Sequence, residues 1–559
     1  MAGRSIALLM LCLLTVSPAL AQDPPANSML DPKPYDPATD PNVTMFVGNW
    51  RDSMPRNIHG SLVVRDILTQ NDGGDHLRPP RKAACLTELV SVSHATLEPG
   101  ASTQQDKLSG IQELYYFVGG EGTLSSGGKT YEIHKGSSAL VPPGITFSMA
   151  AAAGREPLAM YLIVEPIPEG FTPRKDVAVR FEFDRQQFIS VHWANIDRAF
   201  IGKDDGTAVI GGLTGVKIDP MTMAQPHSHR VGVEEVWIAL KGDLKLQMGK
   251  QFLDLPPGSA YRVPDNNITA HANVNFGDTQ AKLIHMMRQL PGENHPYGQL
   301  DPKLYDPAVD PDIDMFMGDW RLSLPRNIHG CLVVRDILTA GNGNPLKPTR
   351  KGACLSDLVS VSYATLESQA FTEPTTLKDE QEIYYIQSGT GVLDCPNRTI
   401  DLRNGIGLII PPGVEYTMRS TGDGHLTMYR IVEPVPPGFR ARKDVLAHDE
   451  YESPLGNFSH WVYGGRSLFG RDDGLAVLAG IAPITIAGMS FGHPHSHGDG
   501  VEEVWIALEG KCGLLLGKQL RNLPVGAAYK IPPTGMTAHS NINTTDEPMK
   551  MMWMMKVAE

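Results

Sequence analysis

Two histidines and a glutamate recur at two places along the chain. Near residue 230 the order is His227, Ser228, His229 and then Glu235; near residue 498 it is His495, Ser496, His497 and then Glu503. Side chains alternate across an extended strand, so histidines one residue apart share a face, and a carboxylate an even number of positions later keeps that parity. In each copy another histidine, His271 or His539, follows the glutamate by about 36 residues. Three imidazoles and one carboxylate form a donor set for a divalent first-row transition ion. Mixed nitrogen and oxygen ligands suit Mn, Fe, Ni, Cu or Zn, and no thiolate is present to select a softer metal. Four protein ligands leave one or two positions open on a five- or six-coordinate ion, where water, dioxygen or a carboxylate or enolate oxygen can bind and be polarised. A surface histidine tract that gathers metal adventitiously would account for His493 to His497 in isolation. It does not account for a distant histidine at matched spacing in both copies. His493 has no counterpart in the first copy, where Gln225 stands nearby, and it reads as a supporting or surface residue.

The elements that must carry these residues are duplicated as well. Asp31 to Ala38 matches Asp301 to Ala308, Pro55 to Gly60 matches Pro325 to Gly330, and Ile163 to Pro166 matches Ile431 to Pro434. The chain therefore divides into two tandem halves, 31–295 and 301–559, joined by a polar segment around Pro291 to Asn294. A weaker symmetry runs inside each half. Glu113 to Gly120 has the cadence of Glu235 to Gly242, and Gly136 to Pro142 parallels Gly258 to Pro264; the second half repeats this with Glu382 to Gly389 and Gly405 to Pro411. Short alternating runs separated by Gly, Pro and Asn turns, with no long amphipathic helix, predict an all-β fold of four small barrels. With Glu235 and Glu503 facing inward, Trp237 and Trp505 share their parity and line the interior, as cavity wall or as core. Glu234 and Glu502 then face outward and read as solvated. The recurring pairs His192-Trp193 and His460-Trp461 are assigned to core packing.

In each half the full pattern adds a glycine, a proline and an asparagine. It runs His227, His229, Glu235, Gly242, then Gly258, Pro264, His271, Asn275; the second half has His495, His497, Glu503, Gly510, then Gly526, Pro532, His539, Asn543. These residues resemble the two motifs of the cupin superfamily. The resemblance implies four double-stranded β-helix barrels arranged as two tandem bicupins, similar to germin-like or oxalate-decarboxylase-like proteins. It divides the chain into a signal peptide (1–21), an N-terminal linker (22–58), a first barrel (59–170), a second (171–295), an inter-half linker (296–328), a third barrel (329–438) and a fourth (439–559). The glutamate stands one residue further from the second histidine than is usual in the motif. Glu234 and Glu502 would restore that spacing, but parity and the distance to the glycine favour Glu235 and Glu503. The proline-to-histidine spacing is also longer, which gives the loop over the metal a shape of its own. The first and third barrels lack the histidines. Gln105 and Lys107, or Pro374 and Thr376, stand where they should fall, and the last histidine is replaced near Phe147 or Tyr416. Only Glu113 and Glu382 remain there, so these barrels read as structural or as metal-free pockets. The resemblance thus implies one divalent metal in each of two barrels, with Mn or Fe ahead of Cu, Ni or Zn. Asn275 and Asn543 either orient a ligand or a water, as neighbours of metal ligands do, or shape a turn. The implied chemistry is that of a dioxygenase-like oxidoreductase or a decarboxylase-like lyase acting on a small oxygen-rich carboxylate or enol. A non-catalytic metal- or ligand-binding protein and a sugar isomerase or epimerase stand as alternatives. No counterpart of the lid glutamate of oxalate decarboxylases is found, so the general acid or base is unassigned.

Composition agrees with this class. A chain of 559 residues with 41% hydrophobic and 20% charged residues has room for about four domains. A formal charge of −13 disfavours nucleic acid as a partner. Arg4, the apolar run Ile6 to Val16 and Ala19-Leu20-Ala21 read as a secretory signal, which places the mature protein outside the cell or in a periplasm. No other run is long and apolar enough to span a membrane. Five cysteines remain after the signal, too few and too scattered for a disulfide framework; Cys85 and Cys354 occupy matching positions and read as small buried hydrophobes. The partner is a small molecule, and association of barrel edges into a homo-oligomer is compatible with the fold.

Overall fold

The computed structural model describes residues 30–190, 192–292, 300–341, 343–457 and 460–558, so the expected signal at 1–21 lies outside the described residues. Within them the chain is strand and short 3-10 turn. Each half holds two barrels, each made of a large sheet facing a four-stranded one. The large sheets have eight and seven strands in the first half, seven and eight in the second.

The strand Ile111–Gly119 shows why the barrels come in pairs. Leu114, Tyr115, Tyr116 and Phe117 are all buried, and a strand apolar on both faces needs cover on both. Tyr115 and Phe117 point into the first barrel with Phe147 and Met149. Leu114 and Tyr116 point outward, into a shared core with Val236, Ile238 and Met286 of the second barrel. Glu234–Lys241 is the matching strand on the other side of that joint, and Glu235 and Trp237 occupy its interior face.

Two exchanged strands, one of them in a segment expected to be a linker, tie the paired barrels together. Val47–Asn49 precedes the first barrel, yet pairs with Ser259–Tyr261 of the second. Ala178–Phe181, assigned from sequence to the second barrel, pairs with Ser137–Leu140 of the first. The second half repeats both exchanges, Met317–Asp319 with Ala527–Tyr529 and Leu446–Asp449 with Ile406–Ile409. Trp50 and Trp320, just after the first exchanged strands, lie against the second-motif glycines. A Cβ on Gly258 or Gly526 would come within 2.4 Å of the indole nitrogen. The first-motif glycines are also explained. At Gly242 (φ +105°) a Cβ would lie 2.7 Å from Ala281, beside a shift of register between Ala239 and Lys241, a place where a bulge favours the residue without a side chain.

Glu234 and Glu502 correct the sequence reading. They face away from the barrel interior but are not solvated; both are about 99% buried. Glu234 accepts hydrogen bonds from the backbone of Thr87, Glu88 and Leu89 in the first barrel and pairs with Arg262 at 3.4 Å. Glu502 does the same with Ser356, Asp357 and Leu358, with Lys530 at 2.9 Å. Here outward means toward the partner barrel. Cys85 and Cys354 are buried free thiols, as expected of small hydrophobes; burial pushes each up to about 12.

The halves meet through their metal-motif barrels. Leu30, Trp193, Phe252, Leu300, Trp461 and Phe491 share one cluster, with the Phe252 and Phe491 rings 5.7 Å apart. The indole N–H of Trp193 donates to the Asp301 carbonyl at 2.7 Å, and that of Trp461 to the Asp31 carbonyl at 2.6 Å. Each half extends its leading arm onto the other.

Removing one partner of a buried ion pair strands the other charge, at a cost of about 3–5 kcal/mol. Glu234→Ala is therefore expected to lower the denaturation midpoint by a loss of that size. Glu88→Ala, which breaks the partly exposed pair with Arg288, is expected to change it by less than about 1 kcal/mol. Equal midpoints for the two variants in urea titrations would contradict the joint described here.

Candidate metal centres

The eight motif residues fall into two groups of four. In the first half, His271 opens the strand His271–Asn275 in the four-stranded sheet, and Glu235 lies near the start of Glu234–Lys241 in the seven-stranded one. His227 and His229 lie on the chain between strands, and His227 is locked to His271 by two backbone bonds: His227 N–H to the His271 carbonyl (3.3 Å) and His271 N–H to the His227 carbonyl (2.8 Å). Donors from both sheets thus meet inside the barrel. Nε2 of His271 lies 3.2 Å from Nε2 of both His227 and His229. Glu235 Oε2 lies 2.7 Å from His229 Nε2 and 2.9 Å from His271 Nε2.

That spacing bears on coordination. With ligand bonds of about 2.1 Å, neighbouring donors at right angles lie about 3.0 Å apart and tetrahedral donors about 3.4 Å apart. The observed 2.7–3.2 Å is close enough for one ion to be held by all four residues. The tautomer fits too. His227 Nδ1 lies 2.9 Å from the Gln225 carbonyl, which can only accept, so Nδ1 carries the proton and Nε2 keeps a lone pair for the centre. Burial, together with the neighbouring imidazoles of His271, His192 and His229, pushes His227 well below the ordinary imidazole range. Burial alone would raise the Glu235 carboxyl, but His229 and His271 hold it well below the ordinary carboxylate range. Burial likewise lowers His271, and neutral His227 and His271 beside an ionised carboxylate match the protonation states that metal binding requires.

The second half repeats the plan with His495, His497, Glu503 and His539, whose donor atoms, like those of the first group, all lie within 4.8 Å of one another. His495 and His539 are joined by the same backbone bridge, and His495 Nδ1 donates to the His493 carbonyl at 2.9 Å. Glu503 Oε2 contacts His497 Nε2, and Oε1 lies 3.5 Å from His539 Nε2. Burial would raise Glu503, but His497 and His539 hold it well below its ordinary range.

Several neighbours differ from their sequence assignments. His192 and His460 do more than pack: their rings stack on His227 and His495 at 4.6 and 4.5 Å. Burial pushes them down to about 4 and about 3, which keeps them neutral. His493 is buried; its Nε2 lies 3.0 Å from the Leu30 carbonyl, and Gln225 Nε2 donates to the Leu300 carbonyl at 2.7 Å. Each ligand-orienting carbonyl therefore belongs to a residue held by the other half. Asn275 and Asn543 do not reach the ligands. Asn275 donates to the carbonyls of Ile218, Asp219 and Thr279 and accepts from Gly277 N–H; Asn543 donates to Ile486 and Glu547 and accepts from Thr545. Their role is the turn. Trp237 and Trp505 do line the interior. The indole of Trp505 donates to Glu503 Oε1 at 2.6 Å, whereas Trp237 lies beside His285, with centroids 4.6 Å apart.

His285 was missed from sequence. Its Nε2 lies 2.9 Å from Glu235 Oε1, the oxygen turned away from the histidines. Strand pairing sets Trp237 opposite His285 and Trp505 opposite Trp553, and the Trp553 N–H donates to Glu503 Oε1 at 3.1 Å. Because the position differs between halves, the repeat gives no signal for it. Only strand register finds it.

In the first barrel Glu113 is taken by His59 (Nε2 at 3.1 and 3.2 Å) and by the Tyr115 hydroxyl, and His59 Nδ1 lies 2.6 Å from Asp106. In the third, Glu382 accepts from Arg430, Tyr384 and Tyr416 and contacts His329 at 3.0 Å. Burial would raise Glu382, but His329, Arg430 and Tyr416 bring it down to about 2. Among the described residues neither carboxylate belongs to a group of three or more side chains that could hold an ion.

Family models match parts of three of the four barrels. The family described as Cupin domain matches residues 93–164 and 216–287, and that described as AraC-like ligand binding domain matches residues 359–437. Among solved structures, oxalate decarboxylase from Bacillus subtilis at pH 4.6 is similar at 14% identity and a TM-score of 0.34, over 45% of this chain and 78% of that one. A second structure of the Bacillus subtilis enzyme, solved in work on its Mn(II) centres, is similar at 14% identity and a TM-score of 0.35, over 45% and 80%. No curated protein matches the chain.

His227→Ala and His495→Ala are each expected to lower tightly held metal from two ions per chain to one, and the double variant to none, while Glu234→Gln keeps both. Metal analysis after exhaustive dialysis checks this. Unchanged metal in the double variant would rule out these donors.

Proposed function

We propose that this protein, a chain of cupin-superfamily barrels arranged as two bicupins in tandem, is a metal-dependent enzyme of dioxygenase-like or decarboxylase-like activity on a small oxygen-rich carboxylate or enolate. The observation that carries the reading is the donor spacing of the first centre, 2.7–3.2 Å, which brings three imidazoles and one carboxylate within reach of a single ion. A divalent ion held by three neutral imidazoles and one carboxylate keeps a net charge of about +1, so it favours an anionic oxygen donor and supplies Lewis acidity, or electrons where the metal is redox-active.

The residues prepare that chemistry. The carbonyls of Gln225 and His493 set the tautomers of His227 and His495. His285 and the paired indoles of Trp505 and Trp553 occupy one carboxylate oxygen of Glu235 and Glu503, which restricts rotation of the ligand. Burial of all eight donors excludes bulk water and strengthens every charge interaction inside. Manganese or iron is the metal we favour on ligand type, and the signal-like segment at 1–21 supports export. Among the described residues no helix is long and apolar enough to cross a membrane.

The first and third barrels, with their carboxylates already neutralised, are assigned structural roles. That leaves two centres per chain, and a non-catalytic binding protein would share this stoichiometry. Turnover separates the two readings. Apoprotein reloaded with Mn or Fe is expected to consume oxygen or release carbon dioxide with at least one member of a panel of small acids, enols and catechols, and to lose that activity on chelation. Two ions per chain with no turnover across the panel would sink the enzyme.

A further inference from the structure

The two centres share their ligands but not the walls around them. Strand register identifies those walls residue by residue. In the first half, Trp237 pairs with His285, His285 with Thr214, and Thr214 with Ala199, so all four look into the barrel. Asn195 and Asp197 sit on the same strand as Ala199 with the same parity and therefore share its interior face. In the second half the corresponding route runs Trp505, Trp553, Ala482, and then along Ile484 and Ile486 to Gly465 and Tyr463. Asn195, Asp197 and His285 thus stand where the second half has Tyr463, Gly465 and Trp553.

Polar bookkeeping separates the two walls further. In the second half both indole N–H groups are spent on Glu503, and the Tyr463 ring packs edge-on against Trp505 at 5.9 Å. In the first half His285 takes the glutamate instead, and the Trp237 N–H is left buried without a partner among the described residues. The side-chain oxygen Oδ1 of Asn195 and one carboxyl oxygen of Asp197 are likewise buried and unpartnered, although both residues are more than nine-tenths buried. Buried polar atoms left unpaired cost about 1–3 kcal/mol each, and three on one interior face point to a ligand that satisfies them. Asn273 and Asn541 leave an amide nitrogen unpartnered in both halves, so they do not distinguish the centres.

We propose that the first centre carries a ligand subsite formed by Asp197, Asn195 and the Trp237 N–H, which takes a short carboxylate bearing hydroxyl groups, whereas the second centre takes only the carboxylate. The hydroxyls donate to the Asp197 and Asn195 oxygens, and one hydroxyl oxygen accepts from the Trp237 N–H. This rests on the metal-holding reading of the centres, because the carboxylate is to sit at the ion. Burial also pushes the Asp197 carboxyl up to about 6, against the opposing pull of His285 and Ser190, as befits a group enclosed with little compensation.

Glycerate and propionate, equal in carbon count and different in hydroxyls, are the probes. Each is titrated calorimetrically into Mn(II)-loaded full-length chain carrying either His495→Ala, which leaves the first centre, or His227→Ala, which leaves the second. The glycerate-to-propionate affinity ratio is expected to be about tenfold higher at the first centre than at the second, the effect of about one good hydrogen bond. Asp197→Ala is expected to bring the ratio down to that of the second centre, with propionate affinity and manganese content unchanged. Trp237→Phe, which keeps a ring and deletes the N–H, gives an independent arm with the same expected direction. Equal ratios at both centres, a ratio indifferent to both substitutions, or manganese-loaded chain that binds neither acid would overturn the subsite. Failure of the His495→Ala chain to hold manganese would instead overturn the metal-holding reading.

Discussion

A carboxylate buried at the same strand position in all four barrels needs positive charge beside it, and much of the interior is arranged around that need. Glu113, Glu235, Glu382 and Glu503 are each at least 97% buried, where an isolated ionised carboxylate would be far too costly. The third barrel answers with a guanidinium, Arg430, and the first with His59, itself held on its other nitrogen by Asp106. The second and fourth surround theirs with three imidazoles each, a polar cage that is complete only when a cation joins it. The fold is common to all four; what differs is where the compensating charge comes from. A built-in cation makes a barrel self-sufficient, and a borrowed one makes it a site.

Much of this was legible in the sequence because two periodicities reinforced each other. Parity along a strand chose Glu235 over Glu234 and Glu503 over Glu502, and the duplication supplied an internal check on every spacing. The barrels themselves followed from alternating runs and turn residues. Other features depended on what touches a strand from outside, which a single sequence does not carry. Glu234 was expected to be solvated because its face points out of its own barrel; a neighbouring barrel covers it. His192 was assigned to packing, and its stacking on His227 comes from a loop folding back. Asn275 matched a motif position, yet its amide closes a turn. His285 was invisible because repetition was the search signal and that position breaks it.

The exchanged strands explain why paired barrels behave as one body. Val47–Asn49 leaves the first barrel to complete the sheet of the second, and Ala178–Phe181 returns the exchange. Edge strands that pair across a domain boundary remove exposed hydrogen-bonding groups on both sides and seat Trp50 on the glycine that precedes the last ligand strand. The metal-motif barrel of each half is therefore built partly from residues that come before its metal-free companion. Loss of that companion would take a piece of the ligand-bearing sheet with it.

The reciprocal arms have a consequence for ancestry. Trp193 grips Asp301 while Trp461 grips Asp31, and Gln225 reaches Leu300 while His493 reaches Leu30. Contacts that occur in mirrored pairs, residue for residue, are the signature of an isologous dimer. Here both protomers lie on one polypeptide. Fusion of an ancestral homodimer would leave this interface in place and make it immune to dilution. It would also release the two copies from obligatory identity, since a change in one gene segment no longer appears twice in the assembly. Divergence between once-equivalent chambers then becomes available to selection without any new fold.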